Sequence, residues 1–165
     1  MHQIQVEELS AEHWFRVKEL RLASLRDSPH AIGGDLETES AQSEIEWRAK
    51  FEKLHYLVAS VEGVDGAIMT IENLAGDFGA KAWIGGCWSS PQYRGVGLLK
   101  AMMKYVDLHA QEKGWQRHGL GVWEDNDPAI AVYERLGFVA MGEPKPSTRV
   151  ADKFYIRMIR DAVNL

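Results

Sequence analysis

Two glycines stand between a predicted strand and the most regular helical pattern in the chain, and this junction constrains the fold more than any other feature. The strand is predicted over residues 81–89 and the helix over residues 98–113, where apolar side chains recur at every third or fourth position. A strand that is followed by an amphipathic helix, with Gly95 and Gly97 in the turn between them, is typical of folds that layer helices on a sheet. The junction therefore predicts a layered α/β fold.

The same junction has the chemistry of an anion-binding turn. A helix start leaves backbone N–H groups unpaired and carries about half a positive charge. Gly95 and Gly97 remove side chains that would keep a bulky anion away, and Arg94 adds a forked cationic donor suited to phosphate. A turn that needs glycine only for its backbone conformation is the alternative, and the residues alone leave it open.

Two common phosphate-binding motifs are excluded here. The phosphate loop of an ATPase ends in Gly-Lys-Ser/Thr, whereas Gly97 is followed by Leu98 and Leu99. A dinucleotide-binding fingerprint needs a third glycine where this chain has Lys100, and it should open the first unit of a larger sheet. An ATPase and a dinucleotide-binding protein are therefore both disfavoured.

Hydrophobic periodicity along the whole chain predicts the order β-α-α-β-β-β-α-β-α-β-β, with hairpins on one side of a mixed sheet. A first helix is expected between the N-cap Ser10 and Asp27, and the last between the N-cap Asp127 and Gly137. A polar stretch without regular structure is expected over residues 30–43. The other predicted elements are a helix over residues 44–54 and strands over residues 3–9, 56–61, 67–71, 117–123, 138–142 and 153–159.

Length and composition narrow the class of protein. A chain of 165 residues without repeats or linkers predicts one domain over residues 1–165. The net charge of −5 disfavours a nucleic-acid partner. The sequence contains no apolar run of about 18 residues, so no membrane-spanning helix is expected. Cys87 is the only cysteine and no signal segment is recognised, which predicts a cytoplasmic protein. Neither the six histidines nor Cys87 has metal-ligand spacing, so no metal is expected.

Residues 94–99 resemble the acyl-CoA signature Arg/Gln-x-x-Gly-x-Gly/Ala of the GNAT superfamily of N-acetyltransferases. Arg94 and Gly97 fill its first two fixed positions, whereas Leu99 stands where the family usually has Gly or Ala. Reading the signature from Gln92 would satisfy its letters but would shift the register against the preceding proline. We therefore prefer the register that begins at Arg94.

A second segment, residues 122–138, is similar to the family pattern strand-Asn-x-x-Ala-x-x-x-Tyr-x-x-x-Gly-Phe. Residues 21–29 also resemble the first helix of many bacterial members, so the resemblance covers nearly the whole chain. The specific motifs lie only within residues 94–138. The matching positions of the second segment are Asn126, Ala129, Tyr133, Gly137 and Phe138.

The resemblance implies a GNAT-like fold, with about seven strands in a mixed, mostly antiparallel sheet and about four helices. It also implies acetyl-CoA as co-substrate, held beside a gap between the parallel strands 81–89 and 117–123. The residues implied to contact it are Ser89, Arg94, Gly95, Val96, Gly97, Leu98, Leu99, Asn126, Ala129 and Tyr133.

Tyr133 and Asn126 each have two interpretations. Tyr133 lies on an apolar stripe, where a tyrosine is usually a core residue, but the resemblance implies that its hydroxyl points at the cofactor sulfur. The leaving thiolate, whose conjugate acid has a pKa of ~8.5, needs such a donor, and we predict Tyr133 as the general acid. Asn126 is either a turn residue or an amide that contacts the pantetheine arm.

The proton acceptor is not identified by the sequence. An alkylamine with a pKa near ~10.4 is mostly protonated at neutral pH, so a base or a water chain should collect its proton. Family members often carry a glutamate on the strand before the phosphate turn, but residues 81–89 contain no Asp, Glu or His. The candidates, each of which could equally be a solvated surface acid, are Glu72, Glu124, Asp35, Glu37 and Glu39.

These observations predict an N-acetyltransferase that moves the acetyl group directly to a primary amine of a small molecule or peptide. The first helix, residues 29–39 and residues 143–152 are expected to shape the acceptor pocket, and their acids point to a cationic acceptor. The alternative is a non-catalytic acyl-CoA-binding module of the same fold. A homodimer formed through an edge strand is compatible with the sequence, which does not specify it.

Overall fold

A computed structural model describes residues 3–164, and within them the chain forms seven strands and five α-helices. The strands are β1 Ile4–Leu9, β2 Leu54–Val61, β3 Val64–Asn73, β4 Ala82–Ser89, β5 Arg117–Trp123, β6 Val139–Pro146 and β7 Phe154–Asp161. The helices are α1 Trp14–Asp27, α2 Leu36–Ser40, α3 Glu44–Ala49, α4 Leu98–Lys113 and α5 Asp127–Arg135.

The seven strands form one sheet in the order β1-β2-β3-β4-β5-β7-β6. The β1–β2, β2–β3, β5–β7 and β6–β7 pairs are antiparallel, whereas β4 and β5 run parallel. The parallel register is confined to Ala82 opposite His118 and Trp83 opposite Gly119, near the beginning of both strands. The predicted mixed, mostly antiparallel architecture is confirmed.

Several predicted boundaries were wrong. Residues 30–43 are not wholly irregular, because α2 forms there, with the Asp35 carboxylate accepting a hydrogen bond from the Thr38 N–H at 3.0 Å. The second predicted helix is shorter than expected: α3 ends in a 3₁₀ turn, and β2 already begins at Leu54. Ser10 forms no side-chain cap, because a 3₁₀ turn at Ala11–His13 precedes α1.

The chain divides into two compact units. The first contains the described residues through Glu72 together with Gly85–Tyr105, and the second contains Asn73–Ile84 and the described residues from Val106 onward. The expectation of one domain over residues 1–165 stays a prediction. No helix within residues 3–164 is long and apolar enough to cross a bilayer.

The first unit is built around a buried apolar cluster. Burial of such surface, at about 25 cal/mol per Å², is the main force that holds α1 and α3 against the strands. The Ser43 side chain caps α3 by accepting a hydrogen bond from the Glu46 N–H at 3.2 Å. The cluster consists of Leu9, Val17, Leu20, Leu22, Trp47, Tyr56, Val58, Ile68 and Trp88.

The second unit contains a buried polar network. Arg160 forms two 2.8 Å hydrogen bonds with the Asp107 carboxylate, and both side chains are only 7% exposed. Arg160 Nη1 also lies 3.1 Å from His118 Nε2, while His118 Nδ1 lies 2.8 Å from the Trp115 carbonyl oxygen. Since a guanidinium can only donate, His118 must be neutral, with its proton on Nδ1. Burial lowers the pKa of His118 below 6.5, and the charge of Arg160 lowers it further.

The His118 network predicts acid sensitivity. In the unfolded chain His118 takes up a proton near its ordinary pKa of 6.5, whereas in the folded chain it resists protonation until a lower pH. The unfolded state therefore binds more protons in that window, and stability falls as the pH drops below 6.5. We expect the thermal midpoint of His118→Gln to change less between pH 7 and pH 5 than that of the unaltered chain. Equal pH slopes in calorimetric melts would contradict this.

Candidate functional site

The turn before α4 holds its two motif glycines in left-handed backbone geometry. Gly95 has φ of 80° and Gly97 has φ of 93°, values that side-chain-bearing residues rarely adopt. The Gly97 carbonyl oxygen accepts the hydrogen bond from the Ala101 N–H at 3.0 Å, so it is the first acceptor of α4. The amides of residues 98–100 precede that bond and have no acceptor within the helix.

The space around the two glycines is open. A Cβ atom built on Gly95 or Gly97 would meet no atom of residues 3–164 within 4 Å. The glycines are thus required by backbone conformation, and the volume that side chains would occupy is open. Backbone N–H groups at a helix start that face open volume are a ready site for a phosphate group. Of the other signature residues, Leu98 is buried, whereas Val96 and Leu99 are half-buried.

The turn is fixed to the neighbouring strands. The Ser90 N–H donates to the Gly66 carbonyl oxygen at 2.8 Å, which ties the start of the turn to β3. The Tyr93 ring then lies directly over Gly66, where a Cβ would approach it to 2.8 Å. Gly66 is therefore required because a ring packs on its backbone.

Arg94, predicted to contact phosphate, is held by other protein groups. Its Nη2 donates to the Asp27 carboxylate at 2.5 Å and its Nε donates to the Ser89 carbonyl oxygen at 3.1 Å. The same Asp27 oxygen accepts 2.9 Å and 2.8 Å hydrogen bonds from Trp88 Nε1 and from the Ser28 hydroxyl. The hydrogen bonds from Trp88, Ser28 and Arg94 lower the pKa of Asp27 to about 2. One carboxylate thus joins α1, β4 and the turn.

The residues of the second predicted segment lie on or beside α5. The prediction that Asp127 caps this helix was wrong by one residue: the Asn126 side chain is the N-cap and accepts from the Ala129 N–H at 3.3 Å. Asn126 and Ala129 are both half-buried. Tyr133, also half-buried, packs edge-on against Phe138 at 5.7 Å between ring centroids.

The predicted proton acceptors have different surroundings. Glu72 is half-buried in β3 opposite Leu54, and Glu124 is exposed after β5. Glu37 is exposed in the first turn of α2, and Asp35 caps that helix. These surroundings identify none of them as the base.

Sequence reasoning missed an ion pair between Glu39 and an arginine 18 positions earlier. Arg21 Nε and Nη2 donate to the two Glu39 oxygens at 2.8 and 3.0 Å. Arg21 Nη2 also donates to the Gly33 carbonyl oxygen at 2.5 Å. The pair belongs to the wall of a cavity of about 490 Å³ in the first unit, a volume within the range typical of small-molecule sites. A pairing between distant residues has no local sequence signal.

Across the described part of the chain, His, Cys, Asp and Glu side chains form no group of three that could hold a metal ion. Cys87 is half-buried in β4.

The sequence model of the acetyltransferase (GNAT) family matches residues 14–138, about three quarters of the chain. The chain therefore belongs to the GNAT family of acetyltransferases. Members of this family are enzymes that transfer an acetyl group to amino groups.

Solved structures of GNAT proteins share the fold over nearly the full length of both chains. The GNAT-family acetyltransferase from Streptococcus pneumoniae is 16% identical with a TM-score of 0.76, over 98% of this chain and 100% of that one. The ribosomal-protein-S5-alanine acetyltransferase from Vibrio fischeri is 14% identical with a TM-score of 0.78, over 98% and 94%. The PaiA N-acetyltransferase from Thermoplasma acidophilum, in complex with coenzyme A, is 16% identical with a TM-score of 0.72, over 96% and 99%.

Alanine at Gly95 tests the anion-binding turn. Left-handed geometry disfavours any Cβ by about 1–2 kcal/mol, and at Gly95 the added methyl would also enter the open volume beside the α4 amides. We expect Gly95→Ala to lower the thermal midpoint and to weaken coenzyme A binding by about tenfold or more in calorimetry.

Gly63, in the β2–β3 turn, provides the matched control. Its φ is 81°, against 80° at Gly95, and a Cβ there would also meet nothing within 4 Å. Gly63→Ala should show a similar loss of stability with unchanged coenzyme A affinity. Equal affinities in the two variants would count against the turn as the binding site.

Proposed function

We propose that this chain is an N-acetyltransferase that transfers the acetyl group of acetyl-CoA directly to a primary amine. The observation that carries the proposal is the turn at Gly95 and Gly97, where both Cβ positions are open and the first amides of α4 have no acceptor within the helix, in a chain of the GNAT family. Coenzyme A in the Thermoplasma acidophilum neighbour supports the choice of anion, since its diphosphate is the group such a turn suits.

The backbone amides of residues 98–100 bind the diphosphate in this proposal, and the glycines permit its close approach. Arg94 has a positioning role, because two of its donors are engaged by Asp27 and by Ser89, while its remaining N–H groups can still face the anion. Leu99, which departs from the family signature, retains its backbone N–H and therefore does not remove a donor.

Tyr133 supplies the proton that the leaving group needs. Attack of the acceptor nitrogen on the thioester carbonyl carbon forms a C–N bond, and the C–S bond breaks with its electron pair on sulfur. The Tyr133 hydroxyl donates its proton to that sulfur and regains one from solvent, while the amine nitrogen loses a proton to a base or water. The family resemblance at Tyr133 and the placement of this residue on α5 support the assignment.

Asn126 and Ala129 are proposed to contact the pantetheine arm, and Glu72 and Glu124 stay candidate bases. Asn126 Oδ1 accepts the capping hydrogen bond of α5, and its amide nitrogen carries two N–H donors that are proposed to face the cofactor. The cytoplasmic location and the homodimer expected from the sequence also stay predictions.

Thiol release separates an enzyme from an acyl-CoA-binding module. Purified chain is incubated with acetyl-CoA and amines that include amino acids, peptides, polyamines and aminoglycosides, and free thiol is followed over time. Thiol release above the rate without amine supports the enzyme. Tight binding of coenzyme A in calorimetry with no amine-dependent thiol release would support the module.

Tyr133→Phe tests the general acid, because it removes the hydroxyl and leaves the ring packing against Phe138 unchanged. We expect kcat to fall by about tenfold or more, with little change in acetyl-CoA affinity. Tyr105→Phe on α4 is the matched control and should retain its kcat. Unchanged kcat in Tyr133→Phe would make Tyr133 a packing residue.

A further inference from the structure

The cavity of the first unit joins four parts of the chain that sequence reasoning did not bring together. Arg21 from α1, Glu39 from α2, Trp47 from α3 and Gly86 from β4 all line it. A Cβ on Gly86 would lie 3.4 Å from Arg21 Nη1, so the guanidinium stands beside the β4 backbone. The cavity thus places the charged side chains of Arg21 and Glu39 beside β4, the strand that leads into the turn at Gly95 and Gly97.

The acids of this cavity are already engaged by protein donors. Both oxygens of Glu39 accept hydrogen bonds from Arg21, and the Glu39 side chain is 13% exposed. A Cβ at Gly34 would collide with both members of the pair, so the loop closes over it. Asp35 caps α2 through one oxygen, which leaves the other oxygen and the negative charge available.

Two cationic side chains that line the cavity, Arg21 and Lys50, retain hydrogen-bond donors without an acceptor among residues 3–164. Arg21 Nη1 donates no hydrogen bond to any of residues 3–164, although the other two guanidinium nitrogens are engaged. Lys50 Nζ lies 4.9 Å from the centre of the Trp47 ring and pairs with no carboxylate within the described residues. The cavity therefore presents one cation, Lys50, and one anion, Asp35, that no opposite charge balances.

Polar groups without partners also occur among the lining residues. Trp47 Nε1 and Gln42 Oε1 are buried and form no hydrogen bond to any residue that the structure describes. Tyr56 remains a neutral phenol, since burial raises its pKa to about 12. Unpaired buried donors and acceptors favour a polar occupant over an apolar one.

We infer that the cavity binds the acceptor, and that the acceptor is a small zwitterion of amino-acid type. Its carboxylate is recognised by Lys50 and Arg21 Nη1, and its amino group is attracted by Asp35. Arg21 and Lys50 balance Asp35 and Glu39 in charge, so a zwitterion leaves the cavity neutral, whereas a polyamine adds uncompensated positive charge. The inference rests on the proposed acetyltransferase function and adds its substrate class.

Sets of acceptors that are matched in size test whether the site recognises a carboxylate on the acceptor. Leucine, leucinamide and isoamylamine share a side chain of similar size, and phenylalanine, phenylalaninamide and phenethylamine form a second set. We expect kcat/KM for thiol release to be about tenfold higher with the amino acid than with its amide or decarboxylated amine. An amide also models the N-terminus of a peptide, so preference for the amides would overturn the inference in favour of a peptide acceptor. Preference for diamines would overturn it in favour of a cationic one.

The Lys50→Met variant tests whether Lys50 binds the carboxylate of the acceptor. It removes the charge but keeps an unbranched chain that can lie on the Trp47 ring. We expect Lys50→Met to raise KM for the amino acid about fivefold or more, with little change in KM for the amide. Lys50→Arg keeps the charge and should leave KM for the amino acid near that of the unaltered chain. Lys53→Met is the matched control, because Lys53 is exposed and does not line the cavity. An equal rise in KM for the amino acid and its amide would overturn the assignment of Lys50.

Binding without turnover distinguishes this inference from the proposed function. Calorimetry of each amino acid and its amide is performed on the chain saturated with coenzyme A. Carboxylate-dependent binding that Lys50→Met abolishes, with no thiol release from any amine, supports the zwitterion site and refutes the acetyltransferase. Turnover of amines without a carboxylate preference supports the enzyme and refutes the zwitterion site. Absence of both turnover and carboxylate-dependent binding refutes the inference.

Discussion

The left-handed backbone at Gly95 and Gly97 is the constraint on which the site depends. It directs the chain out of the 3₁₀ turn Pro91–Tyr93 into α4, and the Cβ positions of both glycines beside the start of that helix are open. The geometry needs a third glycine in β3, because the Tyr93 ring occupies the position of any side chain at Gly66. Three positions without a Cβ thus permit the backbone path of the turn and its close contact with β3.

The Asp27 carboxylate complements that backbone with a charged anchor. It accepts hydrogen bonds from Trp88 in β4 and from Arg94 in the turn, and a carboxylate with a pKa of about 2 stays ionised throughout the physiological range. An arginine that already faces a carboxylate offers less net charge to a phosphate than an unpaired one. In the proposed site the backbone amides therefore carry a larger part of anion binding than the signature alone suggests, and Arg94 mainly maintains the shape of the turn.

Sequence reasoning predicted the elements with strong local signals. The bounds of α4 and β5 were predicted to the residue, because an apolar stripe defines the helix and Gly114, with φ of 78°, ends it. The N-cap of α5 was predicted one residue late, at Asp127 instead of Asn126, since both side chains can cap a helix and only tertiary geometry selects one. The contact of Arg21 with Glu39 depends on how α1 and α2 pack, which no local pattern encodes. The turn was thus predictable, but the cavity wall was not.

The Arg21–Glu39 pair also shows why counting acids is a poor guide to the acceptor. Three acids in residues 29–39 and a net charge of −5 favour a cationic partner when each acid is taken as unpaired. In the described part of the chain the Glu39 charge is matched by Arg21, and Lys50, which lines the same cavity, pairs with no carboxylate. At Glu39 a substrate ammonium group would have to compete with a guanidinium that already forms two hydrogen bonds, so Asp35 is the acid left to attract it. A substrate carboxylate meets Arg21 Nη1 and Lys50, which pair with no carboxylate of residues 3–164. The selectivity of the cavity therefore depends on which charges remain unmatched after folding, and these favour an acceptor with charges of both signs.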